Sequence, residues 1–214
     1  MTNTTYIQTS FIKNFTMATA FSGLLLLTRI IKTDSFFFLF LVWNLFLAGI
    51  PYLISTLLSI RKVNRFIFWS GFTIWLAFLP NSPYILTDLQ HIRLSSLQSV
   101  WFDVLLILSF AINGMIIGFA SLQMMRKLLL ERLSVKVSNA ITYGILLLCG
   151  FGIYLGRVLR WNSWDILQNP AGILSDILKR ILFPIQHMNT WAFTIGFGGF
   201  LIITYRLIQY YQEK

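Results

Sequence analysis

The sequence predicts an all-α fold: a polytopic transmembrane helix bundle of about six spans, with a broken third span and a short interfacial helix. Three observations carry that prediction. The 214 residues are 57% hydrophobic and only 11% charged, with a mean hydropathy of +0.72, whereas soluble domains carry about 25% charge. Six apolar runs, at about 12–30, 36–59, 66–86, 101–125, 138–159 and 189–208, approach or exceed the roughly 20 residues that a crossing helix needs. The third run is interrupted by Leu79-Pro80-Asn81-Ser82-Pro83-Tyr84 and followed by Asp88 and His91, and such polar, broken helices in hydrocarbon sit where protein or a cavity shields them.

The elements follow in order. Met1 to Ser10 is polar, uncharged and without a small-residue cleavage pattern, so the run from Phe15 to Leu27 is expected as a retained span rather than a removed signal peptide. No polar linker or low-complexity tract separates the runs, and a single integral membrane domain over 1–214 is expected. In the third run, Pro80 frees the carbonyl of Leu76 and Pro83 that of Leu79. The 14 residues from Phe66 to Leu79 would cover about 21 Å as a helix, short of a roughly 30 Å hydrocarbon core. The break is then either a kink or exit turn, or part of a binding site. Gly114-x-x-x-Gly118 and Gly152-x-x-x-Gly156 allow close helix contacts, and Asn113 reads as interhelical glue. After the fifth run, Ile173-Leu174, Ile177-Leu178 and Ile181-Leu182 recur at helical spacing between Asp176, Lys179 and Arg180. An amphipathic helix at 171–182, lying at the interface, fits them.

A net charge of +10 would suggest nucleic acid in a soluble chain. Here the 17 basic residues sit at the ends of apolar runs and no nucleic-acid-binding motif accompanies them. Topology explains them. Ten fall on the side holding both termini, including Arg61, Lys62, Arg65, Arg126, Lys127, Arg132, Lys136 and Lys214, and seven fall opposite. The surplus predicts cytoplasmic termini, and the expected location is the bacterial cytoplasmic (inner) membrane. The lone Cys149 excludes an intrachain disulfide and reads as a quiet core thiol.

On that topology the break and the segment Tyr154 to Asp165 share the extracytoplasmic side. Asp88 and His91 are three apart and share a face if helix resumes at Tyr84, so the carboxylate could orient the imidazole for proton transfer. The alternative is an interfacial pair or a capping aspartate. A metal held by Asp88, His91, His187 and Asp103 or Asp165 is conceivable but lacks any ligand motif, and no metal or cofactor is expected. Asp103 can cap the fourth run. If the fifth helix continues, Arg157, Arg160, Trp161 and Trp164 lie close to one face. The arginines could then hold phosphate or carboxylate bidentately, or form ion pairs with Asp88, Asp103 or Asp165. The bland alternative is an aromatic belt with snorkelling arginines.

The stretch Phe78-Leu79-Pro80-Asn81-Ser82-Pro83-Tyr84-Ile85-Leu86-Thr87-Asp88-Leu89-Gln90-His91, the triplet Trp101-Phe102-Asp103, and Tyr154-Leu155-Gly156-Arg157 through Arg160-Trp161-Asn162-Ser163-Trp164-Asp165 occur in that order. In this the chain resembles an uncharacterised bacterial multi-pass membrane family known only as a domain of unknown function. The resemblance covers most of the chain beyond the second run. It implies a membrane protein and singles out these residues, but it carries no reaction.

The functional expectation is an outward-facing site of Asn81, Asp88, His91, Asp103, Arg157, Arg160, Trp164 and Asp165 that binds an anionic amphipathic or lipid-linked ligand, with membrane lipids as partners. One alternative is a membrane-embedded enzyme acting on a lipid or envelope precursor through Asp88 and His91, with Asp103 a further catalytic candidate. Others are a small transporter, or a non-catalytic subunit with a membrane-protein partner. No nucleotide loop, nucleophile elbow or haem motif selects among them.

Overall fold

The computed structural model describes residues 3–60, 63–95, 99–162 and 164–212. Arg61 and Lys62 of the basic loop, Ser163 of the segment Tyr154 to Asp165 and Lys214 lie outside the described residues. The described chain is all-helical. It contains α1 (Asn3–Thr33), a 3-10 turn (Phe37–Leu39), α2 (Phe40–Ile60), α3 (Arg65–Phe78), α4 (Asn81–Tyr84) and a 3-10 helix (Ile85–Leu94). Then come α5 (Val100–Leu130), α6 (Val135–Arg157), α7 (Asp165–Gln168), α8 (Pro170–Leu182) and α9 (Met188–Gln212).

Among the described residues, five helical stretches are long and apolar enough to cross a membrane: Ser10–Thr33, Phe37–Ile60, Val100–Leu130, Val135–Arg157 and Met188–Tyr211. They correspond to five of the six apolar runs. The remaining run is the one that the prolines interrupt. It forms the 14-residue α3, a single turn of α4 and the ten-residue 3-10 helix. The protein is a polytopic membrane protein with one bent, broken helix and short non-spanning helices.

Local chemistry sets the helix ends and keeps polar groups satisfied within apolar helices. Thr16, Ser22, Thr28 and Thr33 of α1 donate their hydroxyls to carbonyls one turn back, the arrangement that lets such residues sit in hydrocarbon. The Asn64 side chain caps α3 by accepting from Ile67 N–H at 2.8 Å, and Ser134 caps α6 through Val137 N–H. Asn169 caps α8 by accepting from Gly172 N–H, with Pro170 at the first helical position, where its missing donor costs nothing.

The chain packs as two compact units, Met1–Gly49 with Asn81–Ile117 and Ile50–Pro80 with Gly118–Lys214. In the first, the broken segment is seated against α5. A Cβ on Gly114 would lie 2.6 Å from the Ser82 carbonyl oxygen and 2.8 Å from Ile85 Cδ1, so only glycine admits the backbone there. The Ser82 hydroxyl donates to the Ala48 carbonyl at 3.1 Å. Asn113 donates to the Ser22 hydroxyl at 3.0 Å, joining α5 to α1 as interhelical glue.

In the second unit α6 and α9 run in close contact. A Cβ on Gly150 would meet the Thr194 carbonyl at 2.6 Å and Gly198 N at 2.9 Å. Gly152 receives the Pro80 ring, so of these glycines Gly150 rather than Gly152 sets the approach to α9. Ser121 accepts from the Trp75 indole at 2.7 Å and lies 3.1 Å from the Ser55 hydroxyl, tying together α2, α3 and α5. Arg132 stacks over Phe68 at 4.0 Å.

This seam makes a sharp contrast between glycines. Gly150→Val should destabilise the protein by about 1–3 kcal/mol, the range for overpacking, because backbone rather than a movable side chain opposes the new atoms. Gly196→Val, on α9 with nothing within 4 Å of its added Cβ, should not. Thermal unfolding in detergent micelles compares them; equal midpoints would contradict the seam.

Candidate functional site

The eight residues singled out by the sequence divide between the units. Asn81, Asp88, His91 and Asp103 belong to the first, and Arg157, Arg160, Trp164 and Asp165 to the second.

Asp103 stands in the first turn of α5, fully buried. It does not act as an N-cap. Its carboxylate accepts from Arg29 Nε at 2.5 Å and Nη2 at 3.1 Å, and from the Ser95 hydroxyl at 2.5 Å. A bidentate guanidinium is a stronger partner than a free helix amide, and the acidic group still sits favourably at the positive end of the helix dipole. Arg29 also lies 5.5 Å from the Phe38 ring centroid. Arg29, one of the seven basic residues counted opposite the terminal side, is therefore the counter-ion of Asp103.

Asp88 and His91 lie on the 3-10 helix, where three residues per turn align positions three apart. Asp88 is 1% exposed, and Asn44 of α2 donates to its Oδ2 at 2.8 Å. His91 Nε2 stands 3.9 Å from Asp88 Oδ1, within ion-pair reach but too long for a hydrogen bond. The imidazole is partly exposed and packs against Phe37 and Phe40, with ring centroids 5.8 and 5.0 Å away. Asn81 opens α4, half-buried. The sequence signal for Asn44 was an amide in the middle of an apolar run, itself a mark of a buried partner.

In the second unit the expected common helix face does not form. α6 ends at Arg157, and Arg160 adopts φ 63°. The Leu159 N–H returns to the Tyr154 carbonyl and the Trp161 N–H to Leu155, reversing the chain before Trp161 and Trp164 can join the helix. Arg157 is half-buried, while Arg160 and Trp164 are exposed. Asp165 closes a local turn by accepting from the Asn162 backbone N–H at 2.6 Å and its side-chain amide at 3.2 Å.

Trp161 instead clamps α8. Its indole donates to Asp176 Oδ2 at 2.8 Å, and Arg180 Nη1 donates to the Asp176 carbonyl at 2.7 Å and to Oδ1 at 3.2 Å. Arg180 is 7% exposed and 5.9 Å from the Tyr154 ring centroid, and its carbonyl accepts from the Trp191 indole at 3.1 Å. Partial burial favours the neutral Asp176 carboxyl, but the Trp161 and Arg180 hydrogen bonds and the Arg180 and Lys179 charges outweigh it and hold the pKa below the ordinary value. These roles of Asp176, Arg180 and Trp191 could not be read from helical spacing alone.

Among the described residues no group of three or more His, Cys, Asp or Glu side chains is placed to hold a metal ion. Cys149 is buried.

A family model described as "Protein of unknown function (DUF1361)" matches residues 43–204. No curated protein and no solved structure matches the chain.

Two outcomes follow from the ion pairs. Arg29→Met should lose about 3–5 kcal/mol by stranding the buried Asp103 carboxylate, whereas Arg29→Met with Asp103→Leu should recover most of it; a double-mutant cycle by thermal unfolding reads both. For Asp176, a depressed folded pKa means that its stabilisation is complete above the unfolded value of about 3.9. That stabilisation is lost as pH falls through the lower folded value. Trp161 fluorescence, isolated by subtracting a Trp161→Phe spectrum, should therefore shift on acidification, and Asp176→Asn should abolish the transition.

Proposed function

The chain belongs to the DUF1361 family, and from its own residues we propose that it binds the anionic headgroup of an amphipathic or lipid-linked molecule. The binding face is extracytoplasmic, in a bacterial cytoplasmic membrane with both termini inside, a topology in which the broken helix makes the sixth crossing and which the surplus of basic residues on the terminal side supports. Arg160 and Arg157 hold the anion.

The observation that carries this reading is Arg160. A left-handed position that ends a helix is usually filled by glycine, or by asparagine, because a Cβ there costs about 1–2 kcal/mol. An arginine occupies it here, exposed and, among the described residues, without a hydrogen bond or ion pair. Keeping a strained backbone to present one guanidinium points to a task for that guanidinium. Its planar fork matches a phosphate or carboxylate, and the exposed Trp164, four residues on in the chain, offers a flat apolar surface with an indole N–H for the rest of an amphiphile.

A second reading, a membrane-embedded enzyme using Asp88 and His91, is favoured by one arrangement. Asn44 fixes a buried carboxylate next to a partly exposed imidazole, the order of groups found where a carboxylate orients a general base. Asp103, spent on Arg29 and Ser95, is left a structural part. His91→Ala that inserts normally and keeps turnover of a polyprenyl-phosphate substrate would remove this reading.

For the binding reading, Arg160→Gly separates fold from function. It relieves the backbone strain, so thermal stability should hold or rise by about 1 kcal/mol. Retention of dihexanoyl phosphatidic acid, measured by native mass spectrometry against the matching phosphatidylcholine, should fall roughly tenfold or more, the worth of a charge-assisted hydrogen bond. Unchanged retention in Arg157→Ala/Arg160→Ala would reject the anion site.

A further inference from the structure

α8 has 13 residues, about 20 Å at 1.5 Å each, too short for a roughly 30 Å hydrocarbon core. It lies in the chain between α6 and α9, two helices that are long and apolar enough to span. Its residues fall into three rows. Asp176 and Arg180, one turn apart, face the protein, held by the indoles of Trp161 and Trp191. Leu174, Leu178, Ile181 and Leu182, at offsets of four, seven and eight, form one exposed apolar row. Ser175 and Lys179, again one turn apart, are exposed between the two.

We propose that the bilayer surface itself covers the apolar row. α8 lies along the membrane plane, with Leu174, Leu178, Ile181 and Leu182 at the boundary of headgroups and acyl chains and Lys179 turned towards lipid phosphates. Three features select lipid over a protein partner. The segment is tethered to spanning helices on both sides, which keeps it at the edge of the hydrocarbon. The row is purely aliphatic and offers nothing to orient a peptide, whereas acyl chains need no orientation. The flanking cation complements an anionic headgroup. The indole of Trp161 on the Asp176 carboxylate and that of Trp191 on the Arg180 carbonyl also fix the rotation of the helix, so that the apolar row is aimed before any lipid arrives.

The full-length protein in nanodiscs of phosphatidylcholine and phosphatidylglycerol tests this. Single cysteines replacing Leu178, Ile181 and Ser175 are spin-labelled, with the buried Cys149 left in place and the unaltered chain as the labelling control. Labels at positions 178 and 181 should collide severalfold more with oxygen than with an aqueous nickel chelate, and the label at 175 should show the reverse. Equal nickel access at all three positions would overturn the proposal. So would spin–spin broadening at position 178 that disappears on dilution with unlabelled protein, which would assign the row to a second copy. If the Leu178→Cys chain does not fold, a label at the exposed Ile185, just past the helix, gives the same comparison. Arg160→Gly should leave these accessibilities unchanged, so failure here and failure of the anion site are read separately.

Discussion

In an apolar solvent a backbone that leaves the α-helix must find partners for its amides and carbonyls within the protein; the segment from Leu79 to Leu94 keeps them in a turn of α-helix and a 3-10 helix, and neighbours that yield space let those turns seat. Gly114 admits the Ser82 carbonyl, the Ser82 hydroxyl reaches Ala48, and in the other unit Gly152 takes the Pro80 ring. A side chain at either glycine would push the break away from its support. The 3-10 geometry that follows then aligns Asp88 with His91 and brings the carboxylate to Asn44. The candidate acid–base pair is thus a product of how an interrupted helix is packed.

Much of the architecture was legible because hydropathy and the reach of a helix across a bilayer constrain the same stretches of chain. The long helices, the break at Pro80 and α8 (Pro170–Leu182) all follow from run length, proline chemistry and helical spacing. The site was only partly legible. Asp88 and Asp103 could be flagged as costly charges in an apolar chain, but their partners Asn44 and Arg29 lie 44 and 74 residues away, beyond what local spacing encodes. The end of α6 misled the helix-face argument. Nothing in the residue types marks Arg160 as a left-handed position, since glycine, the usual signal for such a reversal, is absent there.

The two units use charge differently. In the first, Asp103 and Arg29 neutralise each other in a buried, bidentate pair with Ser95 as a third contact, an arrangement whose worth lies in orientation as much as in stability. In the second, Asp176 and Arg180 lie on one helix and are pinned by indoles from Trp161 and Trp191. Tryptophan suits that position, having a large apolar body and a single donor.

Two polar contacts of α1 with α5 have a geometric consequence. Ser22 meets Asn113 and Arg29 meets Asp103; the donors and acceptors are seven residues apart on one helix and ten on the other, and they run in opposite directions. One such contact would let the helices pivot about it. Two contacts, roughly two turns apart along α1, act as pins in a keyed shaft, fixing sliding and rotation together. Adding or deleting one residue between Ser22 and Arg29 would swing one pin by about 100° and leave the two unable to engage at once, although the helix would be no less apolar. For α1, whose surface is mostly exposed, register is therefore written in two polar side chains rather than in its many apolar ones.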